Sequence, residues 1–95
     1  MRDLKWTTPA LLDFDEIQDH IARDNSRASK RIAIRVTETA EALRLHPFSG
    51  RIWRSDLRIR VVSGTPYLIV YRVPAAVEIL RLWHDRRDWM SLQTE

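Results

Sequence analysis

The 95-residue sequence contains no cysteine, so neither a disulfide framework nor a thiolate zinc site is open to it. Glycine occurs only twice and proline four times, which argues against a disordered or low-complexity chain. No apolar run approaches the ~20 residues of a membrane span, and the N-terminus lacks an apolar signal-peptide core. A cytoplasmic protein with no membrane partner is therefore expected. The GxSxG elbow, the P-loop, the GxGxxG fingerprint and HExxH are all missing, as is EF-hand spacing. No cofactor and no metal are expected on these grounds. The length excludes a (β/α)₈ barrel, a kinase or a repeat array and predicts one domain over residues 1–95, long enough to bury a real core.

Charge is present but unevenly placed. The net charge is only +3. Residues 1–24 carry three basic and six acidic side chains, while the other 71 carry thirteen basic and seven acidic. Fourteen of the sixteen cations are arginine, whose planar fork suits phosphate, carboxylate and aromatic faces. Codon bias is an equally simple origin for that preference.

Leu4 and Trp6 suit a short first strand. Thr8-Pro9 reads as an N-cap followed by proline at the first helical position. Ala10, Phe14, Ile17 and Ile21 then recur at helical spacing, predicting a helix over about residues 9–23. Asn25 or Ser26 can cap a second helix with the stripe Ile32, Val36, Ala40 and Leu43, ending before Pro47. The two form an αα-hairpin. From Leu57 the period changes to two. Leu57, Ile59 and Val61, then Tyr67 to Val73, then Val77, Ile79, Arg81 and Trp83 mark three strands. Their short connections force antiparallel hairpins, and Ile52-Trp53 can add a brief strand before them. The expected fold is α+β: an N-terminal strand, an antiparallel helical hairpin on one face of a small antiparallel sheet, and a short C-terminal turn or helix.

The candidate chemistry is cationic. Arg51, Arg54, Arg58 and Arg60 lie within ten residues, opposed only by Asp56. Arg58 and Arg60 share one strand face, and Leu57, Ile59 and Val61 are expected to take the other face to the helices. If Arg72 or Arg81 joins the arginine face, that face can hold a phosphodiester backbone or an acidic peptide. An ordinary solvent-facing sheet side is the plain alternative. His20 and His46 fit structural or solvated roles, and the acidic residues of the first helix fit a solvated face. The segment His84 to Trp89 offers a titratable imidazole, two arginines (Arg86, Arg87) and a stacking or capping tryptophan.

Several segments in order resemble one family. Leu4-Lys5-Trp6-Thr7, Pro47-Phe48-Ser49-Gly50-Arg51, Gly64-Thr65-Pro66-Tyr67 through Val73, Val77-Glu78-Ile79-Leu80-Arg81 and His84-Asp85-Arg86-Arg87-Asp88-Trp89 are similar to ParE toxins of the RelE/ParE superfamily. The resemblance spans nearly the whole chain. It implies a type II toxin that inhibits DNA gyrase and replication without being an enzyme. It also implies neutralisation by a ParD-like antitoxin, with operator DNA met only through that antitoxin. Target contacts are then expected from Arg58, Arg60, His84, Arg86, Arg87 and Trp89, and antitoxin contacts from Leu12 and Trp53. The alternative is a RelE-like, ribosome-dependent mRNA endoribonuclease with Arg58, Arg60, His84 and Arg86 around the scissile phosphate. Against it, Leu68 stands where RelE has an arginine, and no tyrosine follows Val73 as a counterpart of RelE's C-terminal one. An inactive antitoxin-binding relic is the third reading.

Overall fold

A computed structural model describes residues 1–85. Its elements are β1 (Leu4–Trp6), α1 (Thr8–Ala22), α2 (Ser26–Leu45), β2 (Arg51–Arg54), β3 (Leu57–Val61), β4 (Tyr67–Arg72) and β5 (Val77–His84). The α+β class and the helical hairpin are as expected. The expected C-terminal turn or helix lies outside the described residues.

The cap of α1 is Thr7 and not Thr8. Thr7 is the residue that leaves the β1 ladder. Its Oγ1 accepts from Ala10 N at 3.4 Å and donates to Ile79 O at 2.8 Å, so one side chain closes the helix and ties it to β5. Pro9 sits in the first two helical positions, where its missing N–H costs nothing. Asn25 caps α2, its Oδ1 accepting from Ala28 N at 3.0 Å. The helices are joined laterally by Ser29, whose buried hydroxyl donates to Gln18 O at 3.0 Å.

The sheet order is β1-β5-β4-β3-β2. β2 to β5 pair antiparallel, but β1 runs parallel to β5, with Leu4 opposite Val77 and Trp6 opposite Ile79. The sheet is therefore mixed and not wholly antiparallel. The hairpin argument holds only for consecutive strands; a parallel pair needs a long connection, which everything between β1 and β5 supplies.

Two registers reverse the expected faces. Directly opposite residues on paired strands share a face. Arg58 lies opposite Tyr71 and Arg60 opposite Ile69. Tyr71 and Ile69 belong to the main core with Ala10, Ile17, Val36, Ala40 and Leu43 of the helices. Arg58 and Arg60 therefore lie on the helix-side face, while Ile59 points away, into a second cluster with Leu68 and Val70 against which Trp53 and Trp83 pack. This is tolerated because, among the described residues, α1 packs mainly on β5 and α2 on β1 and β5, so the helices lie chiefly over the β1–β5 end of that face. The second reversal is a β-bulge. Val70 pairs with Arg81 but Tyr71 pairs with Ile79, so Leu80 is an extra residue. Val77, Ile79 and Leu82 thus face the helices, while Arg81 and Trp83 turn to the other side.

Candidate functional site

The uncovered end of the helix-side face is organised by Tyr71. Its hydroxyl accepts from Gly50 N at 2.8 Å and donates to Pro47 O at 2.9 Å, pinning the loop after α2 against β4. Burial pushes the phenol above the usual tyrosine range, outweighing the Gly50 hydrogen bond and the positive charges of Arg58 and Arg60. Gly50 is required by close approach. A Cβ there would lie 2.5 Å from Tyr71 Oη and 2.7 Å from the Ile59 carbonyl oxygen.

Arg58 closes the same loop from outside. Its Nη1 donates to Gly50 O at 2.9 Å and Phe48 O at 3.4 Å. Its guanidinium lies 5.0 Å from the Phe48 ring centroid, and that of Arg2 lies 5.5 Å from it. Arg60, two residues along, donates to Val61 O at 3.2 Å. The carboxylates of Glu41, Glu78 and Asp13 pair with Arg44, Arg72 and Arg81. Among the described residues no carboxylate comes within ion-pair distance of Arg2, Arg54, Arg58 or Arg60. The site is thus a cationic, partly apolar surface set on a rigid loop.

Other anticipated site residues fall elsewhere. Arg72 and Arg81 lie on the far face and do not join Arg58 and Arg60. Arg81 is held by Asp13 of α1, whose carboxylate also accepts from Leu82 N at 3.0 Å. His84 is on the helix side but opposite Tyr67, edge-on to its ring at 5.5 Å, with Nδ1 3.5 Å from Asp85 Oδ1. It stands two strands from Arg60, roughly 10 Å across the sheet, and so does not meet it. Leu12 is exposed on α1. Trp53 packs edge-to-face on Trp83 at 5.8 Å on the far side of the sheet, so Leu12 and Trp53 are not brought together. Arg86, Arg87 and Trp89 lie outside the described residues.

Sequence reasoning passed over Arg2, Phe48, Gly50, Ile52 and Tyr71 as site residues. One signal was available: Gly50 is one of only two glycines, in a loop whose aromatic, Phe48, has no periodic stripe to join. Among the described residues no group of three His, Asp or Glu side chains is placed to hold a metal ion, and no helix is long and apolar enough to cross a membrane.

A sequence model of the ParE toxin of the type II toxin–antitoxin system parDE matches residues 4–89. The chain is 37% identical over 87 residues to a putative toxin, Y4kP, of Sinorhizobium fredii, covering 90% of this chain and 91% of that one. It is 36% identical over 88 residues to Toxin RelE2 of Caulobacter vibrioides, covering 92% and 99%. Its fold superimposes with a TM-score of 0.78 on a chain of the chromosomal ParDE toxin–antitoxin system from P. aeruginosa, at 25% identity over 88% of this chain and 96% of that one. The five-stranded sheet, the helical hairpin and these likenesses together place the chain in the ParE toxin family of type II toxin–antitoxin systems.

Proposed function

We propose that this toxin binds DNA gyrase, holds it in its cleaved-DNA state and so blocks replication, and that a ParD-like antitoxin neutralises it. The observation that carries the reading is an incomplete catalytic set among the described residues. Phosphodiester cleavage needs a base, an acid and cations close together. Arg58 and Arg60 supply cations, but the hydroxyl beside them is buried, neutral and engaged on both sides by Gly50 and Pro47. His84 stands two strands away. What remains is a surface for binding. Arg58, Arg60, His84, Arg86, Arg87 and Trp89 are the proposed target contacts, and Leu12 and Trp53 the proposed antitoxin contacts. Since the last two lie on opposite sides of the sheet, the antitoxin has to pass around an edge to reach both.

The test sets a gyrase supercoiling and DNA-cleavage assay beside a translation-dependent mRNA cleavage assay, on the same purified chain. Gyrase inhibition with intact mRNA is expected. Rapid mRNA cleavage without gyrase inhibition would refute the proposal. A RelE-like ribonuclease is the second reading, favoured by the likeness to Toxin RelE2 and by the Arg58-Ile59-Arg60 pattern. It predicts that Arg58→Ala and His84→Ala each lower toxicity, and it is lost if both leave toxicity unchanged.

A further inference from the structure

At the β2 edge of the sheet, the helix-side face carries a largely apolar depression flanked by the Arg58 guanidinium. Ile52 lies opposite Arg58 in the β2–β3 pair and so shares its face. It is 65% exposed, and Phe48 is 56% exposed. Together with Val73, Pro74, Arg58 and Asp56 they line a depression of about 250 Å³. Large apolar side chains left this open beside one another mark an interaction surface more than a solvated one. Beside it the Arg2 and Arg58 guanidiniums lie against the Phe48 ring with no carboxylate paired to either among the described residues, and Asp56 is the acidic residue of the lining.

The depression is also built in advance. Tyr71 holds both ends of the Pro47–Gly50 turn, and Arg58 bonds two of its carbonyls. A partner docking here does not have to order the loop, which removes part of the cost of association.

We propose that this depression anchors the neutralising antitoxin, through a segment that lays a bulky apolar side chain on Phe48 and Ile52 and sets a carboxylate against Arg58 and Arg2. The inference rests on the antitoxin-neutralised reading above and adds the site. A peptide fits better than a phosphate backbone, because the floor is aliphatic and aromatic and a phosphodiester gains nothing from Ile52. β2 is one of the sheet's two edge strands, with Ile52 on one face and Trp53 beside it on the other. A segment passing round this edge touches both, which accounts for Trp53 as an antitoxin contact.

The experiment measures antitoxin affinity by calorimetry for the intact toxin, Ile52→Asp, Phe48→Ala, and Ile34→Asp on the exposed face of α2. Ile52→Asp and Phe48→Ala are expected to weaken binding at least about tenfold, as central apolar anchors do, with Ile34→Asp within about twofold. Raising salt from about 0.05 to 0.5 M should weaken the intact complex, and Arg58→Gln should flatten that dependence. An Ile52→Asp toxin that binds as tightly as the parent overturns this inference alone. A parent toxin that binds no antitoxin overturns the reading beneath it as well. An oligonucleotide that binds the parent but not Ile52→Asp would make the depression a nucleic-acid site and overturn the assignment to a peptide.

Discussion

Gly50→Ala isolates the contact on which the candidate surface depends. The added methyl would sit 2.5 Å from Tyr71 Oη, 2.7 Å from Tyr71 Cε1 and 2.7 Å from the Ile59 carbonyl oxygen. The last is backbone in the middle of β3 and cannot rotate away. Forcing a methyl into such a site costs about 1–3 kcal/mol. The displacement also breaks the bond between the buried Gly50 N–H and Tyr71 Oη, worth a further ~1–3 kcal/mol when a buried donor is left unpaired. A loss of about 2–6 kcal/mol follows, against the ~5–15 kcal/mol that a domain commonly has. At roughly 4–8 °C per kcal/mol for this size, the melting temperature should fall by about 10–50 °C. Urea denaturation of Gly50→Ala, Tyr71→Phe and the double variant checks the reasoning. Tyr71→Phe alone should cost about 1–3 kcal/mol, since it removes the acceptor and leaves the Gly50 N–H buried. The double variant should cost less than the two singles combined, because the shared hydrogen bond is lost only once. A Gly50→Ala protein within about 0.5 kcal/mol of the parent, or strict additivity in the double variant, would refute this account of the loop.

Three further outcomes can be measured. Asp13→Ala should destabilise by about 1.5–3 kcal/mol in the same denaturation assay. Its carboxylate is only 13% exposed, holds Arg81 by two bonds and caps the Leu82 N–H, and Asn should restore part of the loss by accepting from Leu82. Ser55 has φ 51° in the β2–β3 turn, and Gly64 has φ 78° with no atom within 4 Å of an added Cβ. Ser55→Gly should therefore stabilise by about 0.5–1 kcal/mol and Gly64→Ala destabilise by about 1 kcal/mol, in thermal melts. Because burial raises the Tyr71 hydroxyl above its ordinary value, its contribution is complete below about pH 10. It is lost as pH climbs through the folded-state value, since the unfolded chain releases the proton first. Tyr71→Phe should flatten that part of the alkaline limb.

The helices were legible because their information is local. Apolar residues recur at the helical period, Asn25 caps α2, and Pro47 stops it; none of this needs a distant residue. The antiparallel hairpins were legible for the same reason, since Ser63 to Pro66 and Pro74 to Ala76 are too short for any other connection. The likeness to ParE toxins also lay in contiguous segments. The cap of α1 was one residue off because two threonines stand in a row, and only the β1–β5 ladder picks Thr7.

Local pattern alone dictates which residues form helix and strand and that cations gather around β3. Which face those cations take was decided only by the tertiary structure. A strand with apolar residues on both sides, such as Tyr67 to Tyr71, has no intrinsic inside. The inside is set by which strands the helices cover, and they cover β5 but not β3. Alternation is equally blind to a bulge, which turns every later side chain over. Leu80 does this in β5, putting Arg81 and Trp83 on the face opposite Ile79 and Leu82, from which Arg81 reaches back to Asp13 of α1. The parallel β1–β5 pair and the hold of Tyr71 on Gly50 join residues more than twenty positions apart. No local pattern announces them, because long-range pairing is chosen by the packing of the whole chain.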